Sequence, residues 1–310
     1  MKSYIIKRLL STIPLLVGIS FISFCLINFM PTDPAEAALR VNQTPTITQE
    51  MIKDMRHQLG LDQPFFYRYF KWVADGLQGN FGLSYSNQRP VLEQIRQAFP
   101  PTLMLAGVSL LIVLIISISA GVLCAVYQDG IFDRLARAIV FFATAMPNFW
   151  VGLLFIWLFS VKLNLLPTSG MDSGSSIILP AVTLSLLYIS TYMRLIRNNM
   201  VANLNENYVL YARIRGIKEG TIIRHVFKNS LHSSLAALGM SIPRMIAGTV
   251  VVENIFAWPG LGRLCVEAIF NRDFPMIQAY VLQMAVLFVI SNLVVDIVIS
   301  IIDPRIRRGV

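Results

Sequence analysis

Residues 102–127 read TLMLAGVSLLIVLIISISAGVLCAVY, twenty-six positions without Asp, Glu, Lys or Arg. A helix needs about 20 mainly apolar residues to cross the hydrocarbon core of a bilayer, because every backbone polar group must be satisfied within the segment. This stretch is therefore expected to be a membrane-spanning helix. Five more windows meet the same standard, at 9–30, 138–161, 179–196, 233–252 and 278–302. The whole chain agrees: 55% of its residues are hydrophobic and 14% are charged, against about 25% charged in soluble domains. The expected fold class is an all-α polytopic membrane protein, with six transmembrane helices in a single domain covering 1–310. The first run is longer than the 7 to 15 apolar residues of a signal peptide, so it reads as a retained span.

An even number of crossings puts both termini on one side. That side then holds Lys2, Lys7 and Arg8, Arg134 and Arg137, seven cations between 194 and 232, and Arg305, Arg307 and Arg308. The short loops opposite hold only Lys162, Arg263 and Arg272. By the positive-inside rule the termini and the 197–232 segment are cytoplasmic, and 31–101 and 253–277 are extracytoplasmic. The 31–101 segment carries seven further cations, but loops longer than about 60 residues translocate largely regardless of charge. The same topology accounts for the net charge of +9. A nucleic-acid partner is not expected, since the basic loop lacks aromatic interleaving and any groove-reading motif.

Little points to chemistry within the chain. Cys25, Cys124 and Cys265 are odd in number and widely spaced, so neither a disulfide framework nor a metal pair follows. His57, His225 and His232 all fall outside the spans, which disfavours a histidine-lined metal path and a membrane serine protease. No Gly-Lys dipeptide occurs, so the chain holds no Walker A loop. Two charges lie in the apolar windows, Arg244 and Asp296. Such charges usually face a bundle interior or a wet path; Arg244 is read as a path-lining residue and Asp296 as structural. Pro147 and Pro243 each interrupt a span and permit a kink, with Met146, Asn148, Trp150 and Met240 beside them as candidate pore contacts. The cluster FFYRYFKW at 65–72 suits a helix lying at the membrane interface. Residues 253–263, ENIFAWPGLGR, are stiff and then tightly turning, which fits a re-entrant element over the pore mouth bearing Glu253, Trp258, Gly260 and Arg263.

The polar segment between the fourth and fifth windows is the remaining distinctive feature. It contains YVLYARIRG at 208–216 and continues as RHVFKNSL at 224–231. This pattern resembles the EAA loop of binding-protein-dependent ABC importer permeases, in which a short coupling helix sits in a cleft of the ATPase subunit. On that resemblance the coupling residues are Tyr208, Tyr211, Ala212, Arg213, Arg215, Gly216 and Asn229, with Ala212 the small residue of close approach and Gly216 the turn between two helices. The chain departs from the family pattern at His232, where proline is common, and at Leu210 and Tyr211, where the family has an acidic and a small residue.

Arg8 and the stretches 59–64, 81–84, 253–263 and 303–305 extend the likeness over nearly the whole chain, in the peptide and nickel branch. Within it, QRPV at 88–91, MPNFW at 146–150 and FNRD at 270–273 are more similar to nickel or metal-chelate permeases than to dipeptide ones. The resemblance implies a type I importer permease of the bacterial inner membrane that pairs with a second permease, two ATPase subunits and an extracytoplasmic binding protein. It implies no cofactor in this chain, with ATP and Mg held by the ATPases. A di- or oligopeptide importer stays open as the alternative cargo class. An ion-gradient-driven secondary transporter and a membrane-embedded enzyme are the rivals from other classes.

Overall fold

A computed structural model describes residues 2–29, 33–41 and 47–302. The motif at 303–305 and the arginines after it lie outside the described residues, as do the side chains of Lys2, Lys7, Arg8 and His232. Among the described residues every regular element is helical, and extended pairing is limited to an isolated antiparallel bridge between Leu83 and Pro90. Helix α1 (Lys2–Asn28) precedes the shorter α2 (Pro34–Val41), α3 (Gln49–Gln58) and α4 (Phe65–Leu77). The long α5 (Val91–Val126) leads to α6 (Ile131–Ala145), α7 (Asn148–Phe155) and a π-helical turn (Ile156–Lys162). Then come α8 (Ile178–Leu204), α9 (Asn207–Ile214), α10 (Glu219–Gly239) and α11 (Ile242–Ile255), followed by α12 (Leu261–Phe270) and α13 (Phe274–Ile302).

Among the described residues four helical stretches are long and apolar enough to cross a membrane: Leu10–Asn28, Val91–Val126, Gly174–Leu204 and Phe274–Val298. They account for the windows at 9–30, 102–127, 179–196 and 278–302. The window at 138–161 is a bent pair, Ile131–Ala145 and Asn148–Lys162, meeting at 106°. The cause is local. Proline pushes the residue before it out of the helical region, and Met146 (ψ 134) and Pro147 (ψ 137) are both extended.

The window at 233–252 departs from the expected single helix. It is divided between α10 and α11 at Met240 and Ser241, with Pro243 in the first turn of α11. A proline in that first turn needs no backbone partner, so the chain restarts there at little cost. Tyr192 of α8 supports the break by donating from its hydroxyl to the carbonyl of Ala237 at 2.9 Å and by bonding the Ser241 hydroxyl.

Helix α5 also differs from its window, starting eleven residues earlier and running through Pro100 and Pro101. At 1.5 Å per residue its 36 residues extend about 54 Å, more than the roughly 30 Å hydrocarbon core requires.

The chain falls into two compact units, 1–102 with 259–290, and 103–258 with 291–310. In the first, α4 lies on α1 through aromatic rings: Phe21 meets Tyr69 edge-on at 5.2 Å and Phe24 meets Phe65 at 5.3 Å. The other side of α4 leaves Phe66, Tyr67 and Phe70 exposed, the amphipathic division expected of the 65–72 cluster. Asp273, fully buried, gathers the Ser84 and Ser86 hydroxyls and the Tyr85 backbone N–H at the start of α13. In the second unit, Leu105, Leu184, Val252, Phe256 and Trp258 form a continuous core.

That unit also contains a close helix approach. A Cβ on Gly121 of α5 would sit 2.9 Å from Ile196 Cβ and 3.1 Å from the Met193 carbonyl oxygen of α8. Backbone cannot swing aside as a side-chain tip does, so Gly121→Ala is expected to lower stability by about 1–3 kcal/mol through overpacking. Thermal unfolding of the purified variant checks this, and an unchanged midpoint counts against the packing argument.

Candidate functional site

Past its apolar stretch α8 continues to Leu204, and after a short turn α9 begins at Asn207. Of the residues in α9 only Val209 is buried, packed with Met200 of α8 and with Ile222 and Val226 of α10. Ala212 lies partly buried against the same cluster, and its single methyl lets α9 lie close to the α8–α10 pair. Gly216 ends the helix with φ +69. The Gly216 N–H reaches the Arg213 carbonyl at 2.9 Å and the Ile217 N–H reaches the Ala212 carbonyl at 3.1 Å. Those two bonds define a Schellman cap, and glycine is the residue that takes its left-handed position without strain. A 2.8 Å ion pair from Arg213 to Glu219 then clips α9 to α10, and Asn229 donates to the Tyr208 hydroxyl at 3.5 Å.

The outer surface of α9 has a different character. Leu210, Tyr211 and Ile214 are exposed, Ile214 to 72%, and Arg215 and Lys218 are exposed beside them. Large apolar side chains are thus exposed and rimmed by cations on a helix outside the apolar spans, an arrangement that a monomer's surface seldom carries without a use.

The other sequence candidates are placed less compactly. Met146, Trp150, Met240 and Arg244 are exposed and Asn148 is partly buried, all in the second unit. Arg244 makes no ion pair among the described residues and lies within electrostatic reach of Tyr188. Glu253 and Trp258 are buried, and the Trp258 N–H donates to the Glu253 carbonyl at 2.8 Å. Gly260 is the N-cap of α12, and Arg263 pairs with Glu267 on the same helix at 2.8 Å. Residues 253–258 belong to the second compact unit and 259–263 to the first.

Sequence reasoning missed the role of Arg197, counting it only as a topological charge. Its guanidinium grips Asp133 of α6 with two bonds, Nε to Oδ1 at 2.7 Å and Nη2 to Oδ2 at 2.6 Å. Asp133 is wholly buried and also accepts the Asp129 N–H at 3.0 Å. The partners are 64 residues apart, so the sole signal in the sequence was an acid in the first turn of a largely apolar helix.

Helices throughout the described residues, four of them of membrane length with a bent fifth pair, together with a polar helical hairpin outside them, define a polytopic membrane protein. Comparison with known proteins makes the class specific. The family model described as "Binding-protein-dependent transport system inner membrane component" matches residues 117–308, and its N-terminal companion matches 1–106. The chain belongs to this family of inner-membrane permease components. Over 309 residues, covering 100% of this chain and 99% of the relative, it is 42% identical to the metal-staphylopine import system permease protein CntB of Staphylococcus aureus. It is 37% identical over 308 residues, 99% of each chain, to the glutathione transport system permease protein GsiC of Escherichia coli K12. A chain of the inward-facing MetNI methionine ABC transporter shares the fold, with a TM-score of 0.58, 17% identity, and coverage of 68% of this chain and 97% of that one.

Proposed function

We propose that this permease passes nickel or a metal chelate, delivered by an extracytoplasmic binding protein, and works with a second permease and two ATPase subunits. The observation that carries the coupling part is the exposed apolar and cationic face of α9, held by the Gly216 cap on the end of a membrane helix. ATP-driven closure of the ATPases would move α9, and with it α8, as a rigid body between inward- and outward-open states. In this reading both termini are cytoplasmic. The bent α6–α7 pair and the divided α10–α11 pair each make one crossing, which brings the count to six.

The 42% identity to a metal-staphylopine permease along the full length favours a chelated metal as cargo. The glutathione permease at 37% supports a peptide as the second reading. Uptake of radiolabelled nickel, with and without a small chelator, compared with labelled dipeptide in cells carrying and lacking the gene, separates the two. Gene-dependent nickel uptake enhanced by the chelator is expected; gene-dependent dipeptide uptake without metal uptake would transfer the assignment to peptides. Uptake that follows an ion gradient after ATP depletion would remove the ABC mechanism altogether.

A further inference from the structure

The first compact unit bears a half-open cavity of about 290 Å³ that the transport reading leaves unused. A water in the liquid occupies about 30 Å³, so the space suits a headgroup-sized ligand. Its wall is charged in an ordered way. Arg68, Lys71 and Asp75 lie on successive turns of α4, and Tyr85, Asn28 and Gln278 are among the other polar residues that line it.

Arg68 is half-buried. It donates to the Asn28 side chain and lies 5.9 Å over the Phe24 ring. Burial, and secondarily the like charge of Arg56, lower its pKa from the ordinary arginine value. Arg56 has its own partner in Asp33 at 3.0 Å, whereas neither Arg68 nor Lys71 pairs with an acid among the described residues. Burial, then the nearby Asp273 carboxylate, push the Tyr85 phenol up to about 12, so it remains a protonated donor. Three donors thus line a cavity whose one lining acid among the described residues, Asp75, sits one turn from Lys71.

The surroundings are apolar. Leu26 and Phe29 at the end of α1 and Phe66 and Phe70 on α4 are each more than 60% exposed, and Phe29 stacks on Phe65 at 6.1 Å. Exposed aromatic rings on an amphipathic helix favour the bilayer interface.

We propose that this cavity holds the headgroup of a phospholipid bearing a primary amine. The phosphate is taken by Arg68, Lys71 and the Tyr85 hydroxyl, the ammonium by Asp75, and the acyl chains run along the exposed faces of α1 and α4. Anion recognition by a guanidinium and an ammonium together is charge-assisted and directional. The opposite charge one turn away on α4 discriminates among headgroups. Phosphatidylglycerol brings no cation for Asp75, and the quaternary ammonium of phosphatidylcholine has no N–H to donate.

The test is native mass spectrometry of the full-length protein, purified in detergent and exposed to mixed micelles of phosphatidylethanolamine, phosphatidylglycerol and phosphatidylcholine. Retention of phosphatidylethanolamine over the other two is expected. Lys71→Gln and Arg68→Gln should each lower that retention about tenfold, the worth of one charge-assisted bond. Asp75→Asn should abolish the preference over phosphatidylglycerol. Lys71 is exposed and makes no ion pair among the described residues, so its variant stays informative if Arg68→Gln loses stability through Asn28. Equal retention by wild type and Lys71→Gln would overturn the proposal. So would displacement of the lipid from this site by a nickel–histidine chelate, which would make the cavity a cargo site.

Discussion

Gly216→Val is expected to abolish ATP-coupled uptake while leaving the membrane helices folded. The backbone at Gly216 has φ +69, a region that costs an L-residue roughly 1–2 kcal/mol and a β-branched one more. The strain falls on the cap that closes α9, because the 2.9 Å and 3.1 Å bonds to Arg213 and Ala212 exist only with a left-handed residue there. A Cβ at this position meets nothing within 4 Å, so no clash within the chain follows and the packing of α8 and α10 is untouched. Loss of uptake with intact helicity would then come from the altered exit of α9, or from a side chain entering the space reserved for the ATPase. Gly216→Asn separates these effects, since asparagine tolerates the left-handed region: an intact cap with impaired uptake locates the fault in the contact surface. Uptake and ATPase activity of the reconstituted importer are the measurements. Unimpaired uptake by Gly216→Val would remove the coupling role from this hairpin.

What the sequence made legible was local. Uncharged runs such as 102–127 announce membrane helices because hydrocarbon demands them residue by residue, and four of the six runs found a single helix of membrane length among the described residues. The amphipathic character of α4 was legible as well, its aromatic residues at 65–72 dividing between α1 and the exterior. The turn at Gly216 could be read because glycine there has one conformational purpose. Prolines were legible only as interruptions. The motif at 146–148 and that at 242–243 both signal a break, but the first yields a 106° bend and the second a clean restart, and the difference lies partly in Tyr192, some fifty residues away in the chain. Pro100 and Pro101 point the other way: they mark a boundary in the sequence, and the helix continues through them. Within the candidate site, the inner and outer faces of α9 depend on Val209 meeting Met200 and Val226, which no short window contains. The Asp133–Arg197 pair was illegible for the same reason.

That pair carries the largest expected effect on stability. Asp133→Ala removes both carboxylate acceptors of Arg197, whose side chain is only 12% exposed, and leaves its guanidinium with the Asn198 amide oxygen at 3.3 Å. Breaking a buried ion pair from one side costs about 3–5 kcal/mol, most of it the cost of the stranded charge. Asp129 does little to compensate, because its Oδ1 stands 4.0 Å from Arg197 and its side chain is 63% exposed, where screening by water weakens the attraction. Arg197→Ala should be less damaging, because the buried Asp133 keeps Arg137 at 3.5 Å and the Asp129 N–H at 3.0 Å. The double variant Asp133→Ala with Arg197→Ala leaves neither partner stranded, so it should lose less stability than the two single losses summed, by a coupling energy of roughly 0.5–3 kcal/mol as seen for contacting residues. Thermal unfolding of the purified proteins, followed by tryptophan fluorescence, gives the cycle. Additive losses would mean that the two bonds are incidental to stability. A functional consequence follows from position: Arg197 is on α8 seven residues before its end at Leu204, and α9 begins three residues beyond it. The pair therefore fastens the bent α6–α7 element to the helix that carries the proposed coupling hairpin, and a movement delivered to α9 would reach α6 through it. A charge-reversed pair, Asp133→Arg with Arg197→Asp, tests that link. Recovery of uptake together with stability is the expected result, and recovery of stability alone would confine the pair to folding.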